Sequence, residues 1–221
     1  MDWNLAAKLA QEAFRAAVNE WIGKARIQGG QVNGPAATLT PGSLVSDVNL
    51  EREIAQKLGA SSLPPEVSQV LARELAAAWN QWAAGFQLKL PKAYPSFAAV
   101  PGPAAPPTPA AAGAIPLSQG NSTGESSLAA AILANRLASA LRGSAIRFGA
   151  ASADQAVKSL AIWIDSSFTQ WKGAVKLVGI MGKGPAPTFA PPYVPVAPVI
   201  KGENFSSGPV FAGPRFGIVA I

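Results

Sequence analysis

The sequence predicts a mainly α-helical protein, with about five amphipathic helices in three tryptophan-terminated repeats. Long, extended arms rich in proline and glycine join them, and an edge strand lies near the C-terminus. Three observations predict this. The first is a motif used three times: Asn19-Glu20-Trp21, Asn80-Gln81-Trp82 and Thr169-Gln170-Trp171 share the order small polar residue, Glu or Gln, Trp. Each closes an alanine-rich helical pattern and is followed within three residues by Gly23, Gly85 or Gly173. A short apolar and basic run comes next (Ala25-Arg26-Ile27, Leu88-Lys89-Leu90, Val175-Lys176-Leu177). A unit that recurs within one chain points to one supersecondary element reused. The second observation is that 20 prolines and 21 glycines cluster after these motifs. The third is a hydrophobic share of 49% dominated by alanine, with only 14% charged residues, against about 25% in a typical soluble domain.

Residues 3–22 predict the first helix, because Leu5, Leu9, Phe14, Val18, Trp21 and Ile22 recur at three- and four-residue steps, with Gly23 as its stop. Residues 29–46 form the first arm, punctuated by the turn signals Asn33-Gly34-Pro35 and Pro41-Gly42. A short helix at about 50–58 has Asn49 to cap it, and Glu51 and Glu53 suit the positive end of its dipole. Proline in the first turn opens the next helix, to about residue 84, with Val67, Val70, Leu71, Leu75, Ala78 and Trp82 as its buried face. The second arm, 85–120, has prolines at a density that forbids helix and central strand. Ser122-Thr123-Gly124-Glu125 and Ser152-Ala153-Asp154-Gln155 have capping-box spacing and each opens a helix. The first carries Leu128, Ile132, Leu133, Leu137 and Leu141, and the second Val157, Leu160, Ile164, Phe168 and Trp171. From residue 182 the chain is an arm again. Its last twenty residues turn aromatic and β-branched, as an edge strand that adds to a partner's sheet requires. The chain thus divides into a helix plus arm (1–46), a helix pair plus proline-rich arm (47–121), a helix pair (122–184) and an extended C-terminal arm (185–221).

Several chemistries are excluded by residue type. There is no cysteine and no histidine, which removes thiolate and imidazole metal sites and Ser-His or Cys-His nucleophiles. The twelve acids are spread over helix faces, so neither a metal nor another cofactor is expected, and the chain does not read as an enzyme. Asp165-Ser166-Ser167 sits mid-helix and reads as a polar face. Gly179-Ile180-Met181-Gly182-Lys183-Gly184 lacks the glycine gap and the Ser/Thr of a phosphate loop, and precedes prolines instead of a helix. Trp21-Ile22-Gly23 and Trp171-Lys172-Gly173 share W-x-G with the turn of the small helical-hairpin proteins exported by type VII secretion. The second long helix of that family is replaced here by proline arms, so the match assigns no family.

The net charge of +6 and pI of 9.8 are a mild bias, short of a nucleic-acid stripe. The acidic N-terminus gives no signal-peptide pattern, and no run reaches the length of a membrane span. Arms of this length and apolar character are expected to lie on neighbouring subunits. The sequence therefore points to a structural component of a large symmetric assembly, most readily a bacteriophage virion protein (minor capsid, decoration or cement protein, or connector). Such a protein would assemble in the host cytoplasm, in multiple copies, among other protein subunits. Trp21, Trp82 and Trp171 would anchor the helix ends; Phe189, Tyr193, Phe205, Phe211 and Phe216 would be the arm contacts. The alternative is a packaging-related nucleic-acid-associated protein, with Arg26, Lys89, Lys172, Lys176 and Lys183 beside the tryptophans; an enzyme ranks last.

Overall fold

The computed structural model describes residues 1–34, 36–90, 102–109, 113–143, 151–186 and 199–217. Its five helices are α1 (Trp3–Lys24), α2 (Leu50–Gly59), α3 (Pro65–Gly85), α4 (Ala130–Arg142) and α5 (Ala151–Ala174). Each packs on the next, and α5 returns against α1, which closes the bundle into a ring. The three long helices run in one direction. Trp3, Leu71, Val157 and Leu160, all near helix starts, meet at one end with Leu141 from the end of α4. Trp21, Trp82 and Trp171, near the helix ends, meet at the other.

The prediction of a mainly α protein is overturned, because much of each arm is strand. The strands are β1 (Arg26–Asn33), β2 (Ala36–Leu39), β3 (Leu44–Val45), β4 (Phe86–Leu90), β5 (Gly102–Pro109), β6 (Ile115–Pro116), β7 (Asn121–Ser122), β8 (Lys176–Leu177), β9 (Ile180–Ala186), β10 (Gly202–Ser206) and β11 (Phe211–Ala212). One antiparallel sheet has the order β5-β9-β10-β1-β2-β4-β7 with β3 beside β1, and a small second sheet has the order β11-β8-β6. The fold is mixed α/β. The physical reason is backbone accounting: extended chain buried beside extended chain must pair its N–H and C=O groups, and here the arms pair with one another. Of the two strands in the C-terminal stretch, β10 is bonded on both sides, to β1 and β9, whereas β11 lies at the end of the small sheet and pairs with β8 alone.

The pairing follows a rule. Each unit sends out a strand from its long helix (β1, β4, β9) and returns by a second (β2, β5, β10). Every returning strand pairs with the outgoing strand of the next unit: β2 with β4, β5 with β9, and β10 with β1. Outgoing and returning strands of one unit also pair in the first and third units. Among the described residues the second unit's β4 and β5 do not pair. Proline has no N–H to donate, and β5 carries Pro103, Pro106, Pro107 and Pro109, which confines it to one end of the sheet path. Were the sheet flat, β4 and β9 would lie four steps, about 19 Å, apart. The helix ends that precede them are in side-chain contact, Trp82 to Trp171 at 5.8 Å between centroids. The sheet therefore curls about a threefold pseudo-axis.

Burial repeats with the same phase. Counted from Trp21, Trp82 and Trp171, buried residues recur at equal offsets: Phe14, Leu75 and Ile164; Val18, Trp79 and Phe168; Ala25, Phe86 and Val175; Ile27, Leu88 and Leu177. In α1 half of the buried face is alanine (Ala6, Ala10, Ala13 and Ala17), whereas Leu5 is exposed and Leu9 and Ile22 are half-buried. Small side chains on that stripe let α5 approach closely.

The helix ends also differ from expectation. The backbone of Ala25 and of Phe86 is extended immediately after α1 and α3, so these helices run straight into strands, and no left-handed glycine ends them. Asp2 and Asn49 cap α1 and α2 through their side chains. Ser122 does not cap α4; it lies in β7, and α4 begins only at Ala130. The Ala130 N–H donates instead to Asp165 Oδ2, 3.0 Å away on α5.

Candidate interaction surface

The three motif tryptophans converge in one aromatic hub. Trp21, Trp82 and Trp171 are 3%, 0% and 2% exposed, and Trp79, outside the predicted set, lies at the centre of the hub. Its ring is 4.9 Å from Trp82, 5.6 Å from Trp21 and 5.6 Å from Trp171. The signal for Trp79 was present, since three residues before Trp82 is the same helix face. Phe216 is fully buried against Phe14, Trp79, Trp163 and Trp171. Asn19 holds it through both backbone groups: the Phe216 N–H donates to Oδ1 at 2.9 Å and Nδ2 donates to the Phe216 carbonyl at 3.1 Å. Phe211 is half-buried, 5.2 Å from Trp171. Phe205 stands apart on β10 with the Lys183 ammonium 5.3 Å from its ring centre. Phe189 and Tyr193 lie outside the described residues.

All three outgoing strands run the same way, because each is antiparallel to the strand between. Their far ends share one end of the molecule, as the register pairs Ala37 with Leu90, Val32 with Gly202 and Ala186 with Gly102 require. From that end the chain leads into 91–101 and 187–198.

At the opposite edge of the sheet, each unit closes with the same contact. The fifth residue after the tryptophan pairs with the returning chain: Arg26 with Val45, Gln87 with Asn121, Lys176 with Ala212. The next returning residue is Ser46, Ser122 or Gly213. Ser46 Oγ donates to the Trp21 carbonyl at 3.1 Å and Ser122 Oγ to the Trp82 carbonyl at 2.7 Å. The cover that follows carries an acid in the first two units: Asp47 pairs with Arg26, and Glu125 with Lys172 at 2.6 Å. In the third unit Gly213, Pro214 and Arg215 stand there and leave a cavity of about 370 Å³, walled by Asn19, Glu20, Ile22, Gly23, Trp171, Val175 and Phe211. The Glu20 carboxyl is held below its ordinary pKa, first by the hydrogen bond from Lys24 Nζ and then by that charge.

Among the described residues no three His, Cys, Asp or Glu side chains gather as a metal site requires, and no helix is long and apolar enough to cross a membrane. No protein-family model, curated protein or solved structure matches the chain.

Proposed function

We propose that the protein is a structural component of a large symmetric assembly, most readily a bacteriophage virion, as a minor capsid, decoration or cement protein or a connector. What supports this reading is the common end at which β4 and β9 finish, together with the proline-rich sequence that continues each of them, 91–101 and 187–198. Those segments hold Tyr94, Phe97, Phe189 and Tyr193, side chains suited to docking on neighbouring subunits. The division of labour differs from the one expected: the described parts of the arms build the sheet, and the docking role is assigned to 91–101 and 187–198.

Replacing 187–198 by a Gly/Ser linker of equal length tests this. Incorporation into particles from the native source should be lost while the circular dichroism and the melting temperature hold. Undiminished incorporation would overturn the reading. The nucleic-acid alternative gains no support from the tryptophans, which are buried and offer no face for base stacking. Of the basic residues beside them, Arg26, Lys172 and Lys183 are already ion-paired.

A further inference from the structure

We infer that the 370 Å³ cavity at the third unit is a socket for an acidic, extended peptide segment of a neighbouring chain. The pseudo-symmetry supplies the argument. In the first two units the same place is filled by the chain's own cover, Asp47-Val48-Asn49 and Thr123-Gly124-Glu125. Gly124 sits so tightly on α3 that an added Cβ would meet the Gln81 carbonyl oxygen at 2.0 Å. Each cover brings one carboxylate to a base beside it, Asp47 to Arg26 and Glu125 to Lys172.

The third unit keeps a base at the position of Arg26 and lacks the acid, while Ile22 stands where Lys172 meets Glu125 in the second. Lys176, which occupies the position of Arg26, and Arg215 on the cavity rim have no ion-pair partner among the described residues. The cavity walls are what a peptide needs. Trp171 and Phe211 form an aromatic corner, with rings 5.2 Å apart and tilted by 59°. Glu20 on the wall is neutralised by Lys24, 2.9 Å away, so the charge left for a ligand to answer is positive. The volume lies within the range of peptide- and ligand-sized pockets, about 300–1,000 Å³.

That the peptide belongs to a neighbouring subunit rests on the assembly reading; the socket itself is tested alone. The probe is a synthetic peptide of residues 121–129, the second unit's own cover, titrated into the full-length protein. Saturable amide shifts at Gly23, Val175 and Gly213 are expected. Binding should weaken about tenfold when the peptide carries Glu125→Gln or the protein carries Arg215→Glu, and stay unchanged with Lys8→Glu. The inference is overturned by no shift at about 1 mM peptide, or by equal affinity for the Gln peptide. Peptide binding by a protein absent from native particles would keep the socket and remove the assembly reading.

Discussion

Trp79 touches Phe14, Trp21, Trp82, Phe168, Trp171 and Phe216 with ring centroids between 4.9 and 6.3 Å. The indole N–H groups of Trp79, Trp82 and Trp171 have no hydrogen-bond partner. The worth of these side chains is therefore their buried area and shape. Trp79→Ala or Trp82→Ala should cost about 3–5 kcal/mol in denaturant unfolding. Trp79→Phe should cost under about 1.5 kcal/mol, since it also removes an unsatisfied buried donor. Equal losses for Ala and Phe would contradict this. At the surface, Lys24→Ala should return the Glu20 pKa toward the ordinary carboxyl value, followed by NMR titration. Because the folded-state pKa is lowered, Glu20 stabilises the fold above its unfolded pKa, and that contribution fades as pH falls through the lowered value. The tryptophan positions were legible from helical spacing. The role of Asp165 was not, because its partner, the Ala130 N–H, is 35 residues away.

Among the elements, the first hairpin shows why strands were misread as arms. Asn33-Gly34 is a hairpin turn signal, and Gly34 takes φ of +58°. Yet Gly29-Gly30 in mid-strand breaks the alternation that marks a strand. Gly30 is required there: its φ is +85°, and a Cβ would meet the Thr38 carbonyl oxygen at 2.3 Å and Asn204 Nδ2 at 2.6 Å. Asn204 is fully buried, with Nδ2 donating to the Thr38 carbonyl at 2.9 Å, and so ties β10 to β2 across β1. Gly30→Ala should therefore cost at least about 1–3 kcal/mol, measured by thermal unfolding. Asp165→Ala should cost about 1 kcal/mol through the lost cap of α4. Deleting 185–221 removes β10, Val210 and Phe216 together. It should abolish helical circular dichroism, so the docking role has to be tested by linker replacement instead.

For the whole molecule, three units, each a long helix followed by an outgoing and a returning strand, pair with one another in turn. The repeat was visible in the tryptophans, and so was the pairing of a short helix with each of the later long ones. Pairing between units was not visible, since a strand's register is set by its partner's pattern and every partner here belongs to another unit. The proline runs concealed it further: they read as unpaired chain, yet β5 pairs with β9 along one edge. The claim on which function and socket both depend is that the units close on each other in a cycle. The chain has no cysteine of its own, so that closure can be locked and read directly. Cysteines would be placed at three register pairs, one per inter-unit contact: Gln28 with Phe205, Thr38 with Lys89, and Pro109 with Met181. After oxidation of the six-cysteine chain, intact mass with thiol labelling should find three intramolecular disulfides and no free thiol in a monomer with native circular dichroism. A folded monomer in which any of the three pairs stays reduced would contradict the cycle.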